Sequence, residues 1–241
     1  ENGWVYWSNW DGVADVTSSI QMQKGLSAQN LATPSIGGSM NIVTDAASIE
    51  KGGSLKQEVG AYGFLKSTIS YNTGLIMDDK LALSAALVRK TGDGYYTGTW
   101  TDAWAYFFGG TYNLNDKHKL QFYALGAPQR HGQNLYRLNI ASLDRSFAES
   151  LDDFNTDISE IPECGRDCSG TGSTVSDETA ALLGDQQWQM YTDYTGERHE
   201  KNLINERENF FHKPQVALNH YFTINDKTNL ISSLYWSGGM G

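Results

Sequence analysis

The chain has 241 residues, 39% of them apolar and 12% aromatic, with 25 glycines, four prolines and a formal net charge of −10. No apolar run approaches the ~18 residues of a membrane-spanning helix. This leaves open a β-barrel, whose strands need only about 9–11 residues and alternate apolar with polar. The composition favours strands over helices, and the acidity disfavours a nucleic-acid partner.

Glu1 is not a natural start, so the sequence reads as an internal piece of a longer protein. It opens on Glu1-Asn2-Gly3-Trp4-Val5-Tyr6-Trp7-Ser8-Asn9-Trp10-Asp11-Gly12. Rigid aromatics with polar tips bind sugars and planar chelates well, which makes Trp4, Tyr6, Trp7 and Trp10, with Asp11, a candidate ligand site. The competing reading is that these rings only pack internally. The run from Asp15 to Gly25 follows. Next comes Pro34-Ser35-Ile36-Gly37-Gly38-Ser39-Met40-Asn41-Ile42-Val43-Thr44, where the glycine pair turns the backbone into a short strand.

After Gly52-Gly53 the pattern changes to repeated strands, expected over 54–62, 66–75, 81–90, 103–114, 119–128, 214–223 and 229–237. In the third, Leu81, Leu83, Ala85 and Leu87 share a face opposite Ala82, Ser84 and Ala86. In the fourth, Trp104, Tyr106, Phe108 and Tyr112 oppose Gly109, Thr111 and Asn113. In the fifth, Leu120, Phe122 and Ala124 oppose Gln121 and Tyr123. In the seventh, Leu230, Ser232, Leu234 and Trp236 alternate with Ile231, Ser233 and Tyr235. Lipid outside and water inside selects such faces, but so does a soluble sandwich. Loop length separates the two. Met77-Asp78-Asp79-Lys80, Asn115-Asp116-Lys117-His118-Lys119 and Asn225-Asp226-Lys227-Thr228 are short and alike, and they all fall on one side of the sheet. The long connections 91–102 and 129–213 fall on the other. A transmembrane barrel sorts its loops this way, with short turns on the inner side and long loops outside.

The long connection is also where the acidity sits. Residues 141–212 hold 16 acids against 5 bases, while the remainder holds 12 against 13. A helix is expected near Asp177 to Leu183. Where the fifth strand ends, Arg130 and His131, and beyond them Tyr136 and Arg137, are candidates to line a ligand cavity at the rim, or are simply solvated. Asp152, Asp153 and Asp157 have a loose oxygen-donor spacing. They lack the glycine and terminal glutamate of an EF-hand loop, so structural calcium and a solvated loop are the alternatives. The five histidines are scattered with no His-x-x-His pair, and no phosphate loop or nucleophile elbow is present. The chain is expected not to be an enzyme, and to need no resident cofactor beyond that calcium.

The junction around Gly37-Gly38, with the Asp15–Gly25 run before it and the strands after it, resembles the end of the plug domain of a TonB-dependent outer-membrane receptor, and the repeated Asn-Asp-Lys turns and Trp-rich opening run resemble the Bacteroidota type of that family. The resemblance implies an all-β chain with a small α/β plug, in which Leu26–Ala32 would be a short helix, forming part of a 22-stranded antiparallel barrel. Residues 1–46 would be the C-terminal part of the plug, 47–53 a hinge, and 54–241 the first seven barrel strands with an extracellular loop at about 129–213. It also implies residence in the bacterial outer membrane and import of a scarce nutrient: a ferric siderophore, haem, cobalamin or an oligosaccharide. Partners would be the TonB-ExbB-ExbD complex, outer-membrane lipids and a surface lipoprotein. The alternative is a surface binding or adhesion scaffold that uses the acidic loop. In an exported protein, Cys164 and Cys168 are expected to form a local disulfide, since one C-x3-C pair offers too few metal ligands.

Overall fold

The computed structural model describes residues 13–25, 37–155, 161–183 and 202–241. The N-terminal part contains a 3-10 turn at Val13–Val16 and two strands, β1 (Ser19–Lys24) and β2 (Gly38–Val43). These pair antiparallel from Ser19 opposite Val43 to Lys24 opposite Gly38. Gly38 sits at φ +133°, and a Cβ there would lie 2.3 Å from the Gln23 carbonyl oxygen, so only glycine closes this ladder. The expected helix over 26–32 lies outside the described residues. A second 3-10 turn, Ala46–Ser48, follows at once. It is capped by Asp45, whose carboxylate accepts the Ala47 N–H at 3.1 Å.

The main sheet begins with β3 (Gly52–Val59), β4 (Leu65–Ile76), β5 (Leu81–Gly92), β6 (Thr101–Asn115) and β7 (His118–Gly126). Then comes a long excursion through β8 (Gln129–Gly132), α1 (Ile140–Leu143), α2 (Arg145–Glu149), β9 (Gly172–Thr174), α3 (Asp177–Leu183), β10 (Leu203–Asn205) and β11 (Glu208–Phe211). The chain returns with β12 (Gln215–Asn225) and β13 (Thr228–Ser237). The order β13-β12-β7-β6-β5-β4-β3 is an antiparallel meander. β8 pairs with both β6 and β11, which carries the sheet upward at the end holding the long loops.

The expected strands all appear, with ends shifted by a few residues. The first stops at Val59 because residues 60–63 form a turn, with Tyr62 at φ 57° and Gly63 at φ 64°. The excursion is less loop-like than its composition suggests. Among the described residues it holds four strands and three helices, one of them at Asp177–Leu183 as expected. The three short turns are not built alike. The Asn115 side chain accepts the Lys117 and His118 amides, and that of Asn225 accepts the Lys227 amide. The turn at 77–80 has no asparagine to do this and instead places Met77, Asp78 and Asp79 in left-handed conformations.

Alternation divides the sheet into two unlike faces. One exposes Leu55, Ile69, Leu87, Phe108, Leu218 and Leu234, the first of these 80% exposed. No second sheet covers it among the described residues. The other face is small and polar, with Thr68, Ser70, Ser84, Ala86, Val88, Ala105 and Thr111 buried. Both 3-10 turns pack on this second face, against β4, β5 and, for Ala46–Ser48, β6.

Candidate functional site

Two sets of contacts seat the N-terminal segment on the inner face. Val13 and Val16 join Ala86 of β5, Phe107 of β6 and Leu125 of β7 in a buried cluster, with Ile42 and Tyr123 against it. Each valine contributes about 1.5–3 kcal/mol by burial. The second set is polar. Thr111 projects inward from β6 and donates its hydroxyl to Asp45 Oδ1 at 2.8 Å. Lys119 projects inward from β7 and donates from Nζ to Asp45 Oδ2 at 2.7 Å. Burial pushes the Asp45 carboxyl up. The hydrogen bonds from Lys119 and Thr111, the lysine charge and the Ala47 amide together outweigh it and hold the group below the usual aspartate range. One carboxylate thus caps its own turn and ties it to two neighbouring strands.

At the loop end, the outer face changes character. Arg89 pairs with Asp102, and Arg130 Nη1 lies 3.0 Å from Glu208 Oε1. Asp102 and Arg130 stand opposite each other in the β6–β8 register, and each is only 5% exposed. The Arg89 guanidinium lies over Trp104 and that of Arg130 over Phe210, both at 5.1 Å. This row of charges closes the apolar band. From the Leu81–Tyr112 pair to the Arg89–Trp104 pair is eight residues along β5. At ~3.3 Å per residue and a barrel tilt of ~40°, that is a band roughly 20 Å high.

Arg130 and His131 were grouped by sequence, but the strand puts them on opposite faces. Arg130 belongs to the buried ionic row. His131 pairs with Thr101 and Asn209 on the inner side, half-buried, with its ring edge toward Phe211 at 6.4 Å. The Tyr136 hydroxyl accepts from Arg207 Nε at 2.7 Å and also from Nη2, while Arg137 is exposed. Period-two alternation over Gln129–Gly132 was the signal that could have separated these residues. Trp4, Tyr6, Trp7, Trp10 and Asp11 lie outside the described residues, as does Asp157. Asp152 and Asp153 are exposed, and among the described residues no group of three acids, histidines or cysteines gathers to hold a metal.

The excursion is fastened down at the same end. Cys164 and Cys168 are joined, with their Cα atoms 5.4 Å apart. The Cys164 amide donates to Ser142 at 2.9 Å, and the Thr97 amide of the β5–β6 loop donates to Asp167 at 2.8 Å. Asn205 donates to the Gly98 and Gln133 carbonyls at 2.8 and 3.0 Å. Gly132 lets these backbones meet, since a Cβ on it would lie 1.8 Å from the Gly98 oxygen. Sequence reasoning missed Asp45, Thr111 and Lys119. The only local sign was an aspartate before Ala-Ala-Ser, a capping pattern that says nothing about the strands it reaches.

No protein-family model matches this chain, and no curated protein does. Solved structures do. The chain is similar to the ferric-catecholate import receptor Fiu from E. coli K12 in its open form, at 13% identity and a TM-score of 0.55, covering 93% of this chain and 29% of that one. The closed form gives a TM-score of 0.51 over 90% of this chain and 25% of that one, again at 13% identity. The ferripyoverdine receptor of the Pseudomonas aeruginosa outer membrane, bound to ferripyoverdine, gives 0.52 at 10% identity, covering 87% and 22%. The chain spans less than a third of the length of these receptors. At such identities the likeness is one of fold, and the fold is that of a segment of a TonB-dependent receptor.

Proposed function

We propose that this segment, with the fold of a TonB-dependent outer-membrane receptor, does the work of one: it joins the plug to the first barrel strands of a transporter that imports a scarce nutrient by energy-coupled plug movement. The observation that carries this reading is the pairing of an uncovered apolar outer face with a small-polar inner face on which the N-terminal segment is seated. Lipid is the solvent that face requires, and the charged row at Arg89, Asp102, Arg130 and Glu208 belongs above the hydrocarbon, because one charge at mid-bilayer costs about 2–4 kcal/mol in such barrels. The loop end is then extracellular and the short-turn end periplasmic.

The seat suits a part that must leave. Among the described residues it consists of a small apolar cluster and one carboxylate held by Lys119 and Thr111. The wall behind it presents Thr68, Ser70, Ser84 and Thr111, which water can solvate once the plug moves. The outer membrane has no ATP to spend, so movement must be driven from the inner membrane through TonB, with ExbB and ExbD. The Trp4, Tyr6, Trp7 and Trp10 run with Asp11 is proposed to meet the incoming ligand from the plug.

The test locks the seat in the full-length receptor. The Asp45–Thr111 hydrogen bond of 2.8 Å brings the two Cβ atoms within about 5–6 Å, close to disulfide reach after a small shift. Asp45→Cys with Thr111→Cys, once oxidised, is expected to stop import while leaving ligand capture intact, and a reductant should restore it. Undiminished import by fully cross-linked receptor refutes the reading.

A further inference from the structure

At the loop end, the β3–β4 turn, the β5–β6 loop and the disulfide loop, together with Thr174 and Leu203, line an open recess of about 590 Å³, whose wall includes Tyr62, Asp93, Tyr95, Tyr96, Arg166 and Asp167. That volume falls within the ~300–1,000 Å³ of ordinary small-molecule sites. Tyr62 and Tyr95 meet edge to face at 5.4 Å, and Tyr95 and Tyr96 do the same at 4.9 Å. All three stay 40–53% exposed, so the rings pack on one another without being covered. Tyr62 sits at φ 57°, a conformation that a bulky residue adopts at a cost. The Asp93 amide holds it there by donating to the Tyr62 carbonyl at 2.9 Å, and glycine would have served the turn without strain. From the far side, the Thr97–Asp167 bond holds the disulfide loop against the rim at 2.8 Å.

We propose that this cavity binds a neutral, hydroxyl-rich ligand, a short stretch of oligosaccharide. Sugar rings offer apolar C–H faces to tyrosine rings and hydroxyls to carboxylates and a guanidinium, and the wall supplies all three kinds of group. Its charge argues against a polyanionic iron chelate. Two carboxylates face one guanidinium in the lining, and the segment 141–212 that contributes to it holds 16 acids against 5 bases. A trianionic ligand would approach against that field. Arg166 in the wall likewise disfavours a compact cation.

This inference rests on the transporter reading for the cavity's access to the outside. It is tested on the full-length receptor in detergent, by calorimetry with maltotetraose, cellotetraose, xylotetraose and mannotetraose, and with a ferric tris-catecholate. At least one tetrasaccharide is expected to bind, and Tyr95→Ala and Tyr96→Ala should each weaken it about tenfold or more. Hydrogen exchange on the unmodified receptor gives a readout that needs no variant: the bound saccharide should slow the amides of residues 93–98 and 166–168. Three results overturn the proposal: no tetrasaccharide binding at millimolar concentration, saccharide binding indifferent to both substitutions, or protection of these amides by the catecholate instead. Import that persists, and still stops on oxidising the Asp45–Thr111 lock, would then sink the saccharide pocket alone.

Discussion

Replacing Asp45 should loosen the plug seat by an amount that the geometry sets. The carboxylate accepts from Lys119 at 2.7 Å, Thr111 at 2.8 Å and its own Ala47 amide at 3.1 Å. Hydrogen bonds to a charged group contribute about 1.5–3 kcal/mol each when well shielded. Shielding here is partial, with the Asp45 side chain 19% and the Lys119 side chain 35% exposed, so solvent screening brings the ionic part down toward about 1 kcal/mol. Asp45→Asn keeps the shape and removes the charge, and should cost about 2 kcal/mol of docking, roughly a 30-fold shift toward the unseated plug. The assay is hydrogen exchange of the 46–49 amides in full-length receptor, run as a double-mutant cycle with Lys119→Met. A coupling of about 1 kcal/mol is expected. Additivity within about 0.3 kcal/mol would mean that the two groups lie side by side without an energetic link, and would refute the reasoning.

The same tie has a defined pH response. The folded carboxyl lies below the usual aspartate range, so its contribution is complete above that range and is lost as pH falls through the folded value. Exchange at 46–49 should be flat from neutral to mildly acidic pH once corrected for intrinsic rates, and a break in the histidine range would assign the seat to another group. Leu83→Arg or Phe122→Arg, both on the outer face, should cost about 2–4 kcal/mol each and reduce the folded, heat-modifiable fraction on gels; normal assembly of both would contradict the strand faces. Gly132→Ala drives a Cβ against the Gly98 backbone and should cost about 3 kcal/mol locally, seen as faster proteolytic nicking within 133–205. Non-reducing mass spectrometry should find Cys164 linked to Cys168, and free thiols at both would sink the assignment. Reduction should cost the loop about 2 kcal/mol of local order.

The seven long strands were legible because their signal is local. Leu81 through Leu87 alternate, Trp104 through Tyr112 alternate, and each run ends at a polar turn. A period of two needs only neighbours to be seen. Loop parity extended this to which end carries the long connections. The same reading failed within the excursion, where β8 and β11 are four residues each and an alternation of that length does not stand out from chance. Arg130 was therefore placed with His131 at a shared rim, although the strand turns one outward and the other inward.

By itself, the sequence determined the meander, its two faces and the end that carries the long connections, since backbone pleat and solvent preference act residue by residue. Tertiary structure decided what meets across the fold. Asp45 and Lys119 are 74 positions apart, Tyr106 and His212 are 106 apart, and the tyrosine-lined recess draws on the β3–β4 turn, the β5–β6 loop, the disulfide loop and the β9–β10 pair. Such contacts depend on strand register and loop closure, which no local pattern of side chains encodes, and the seat and the cavity came into view only when the strands were in place.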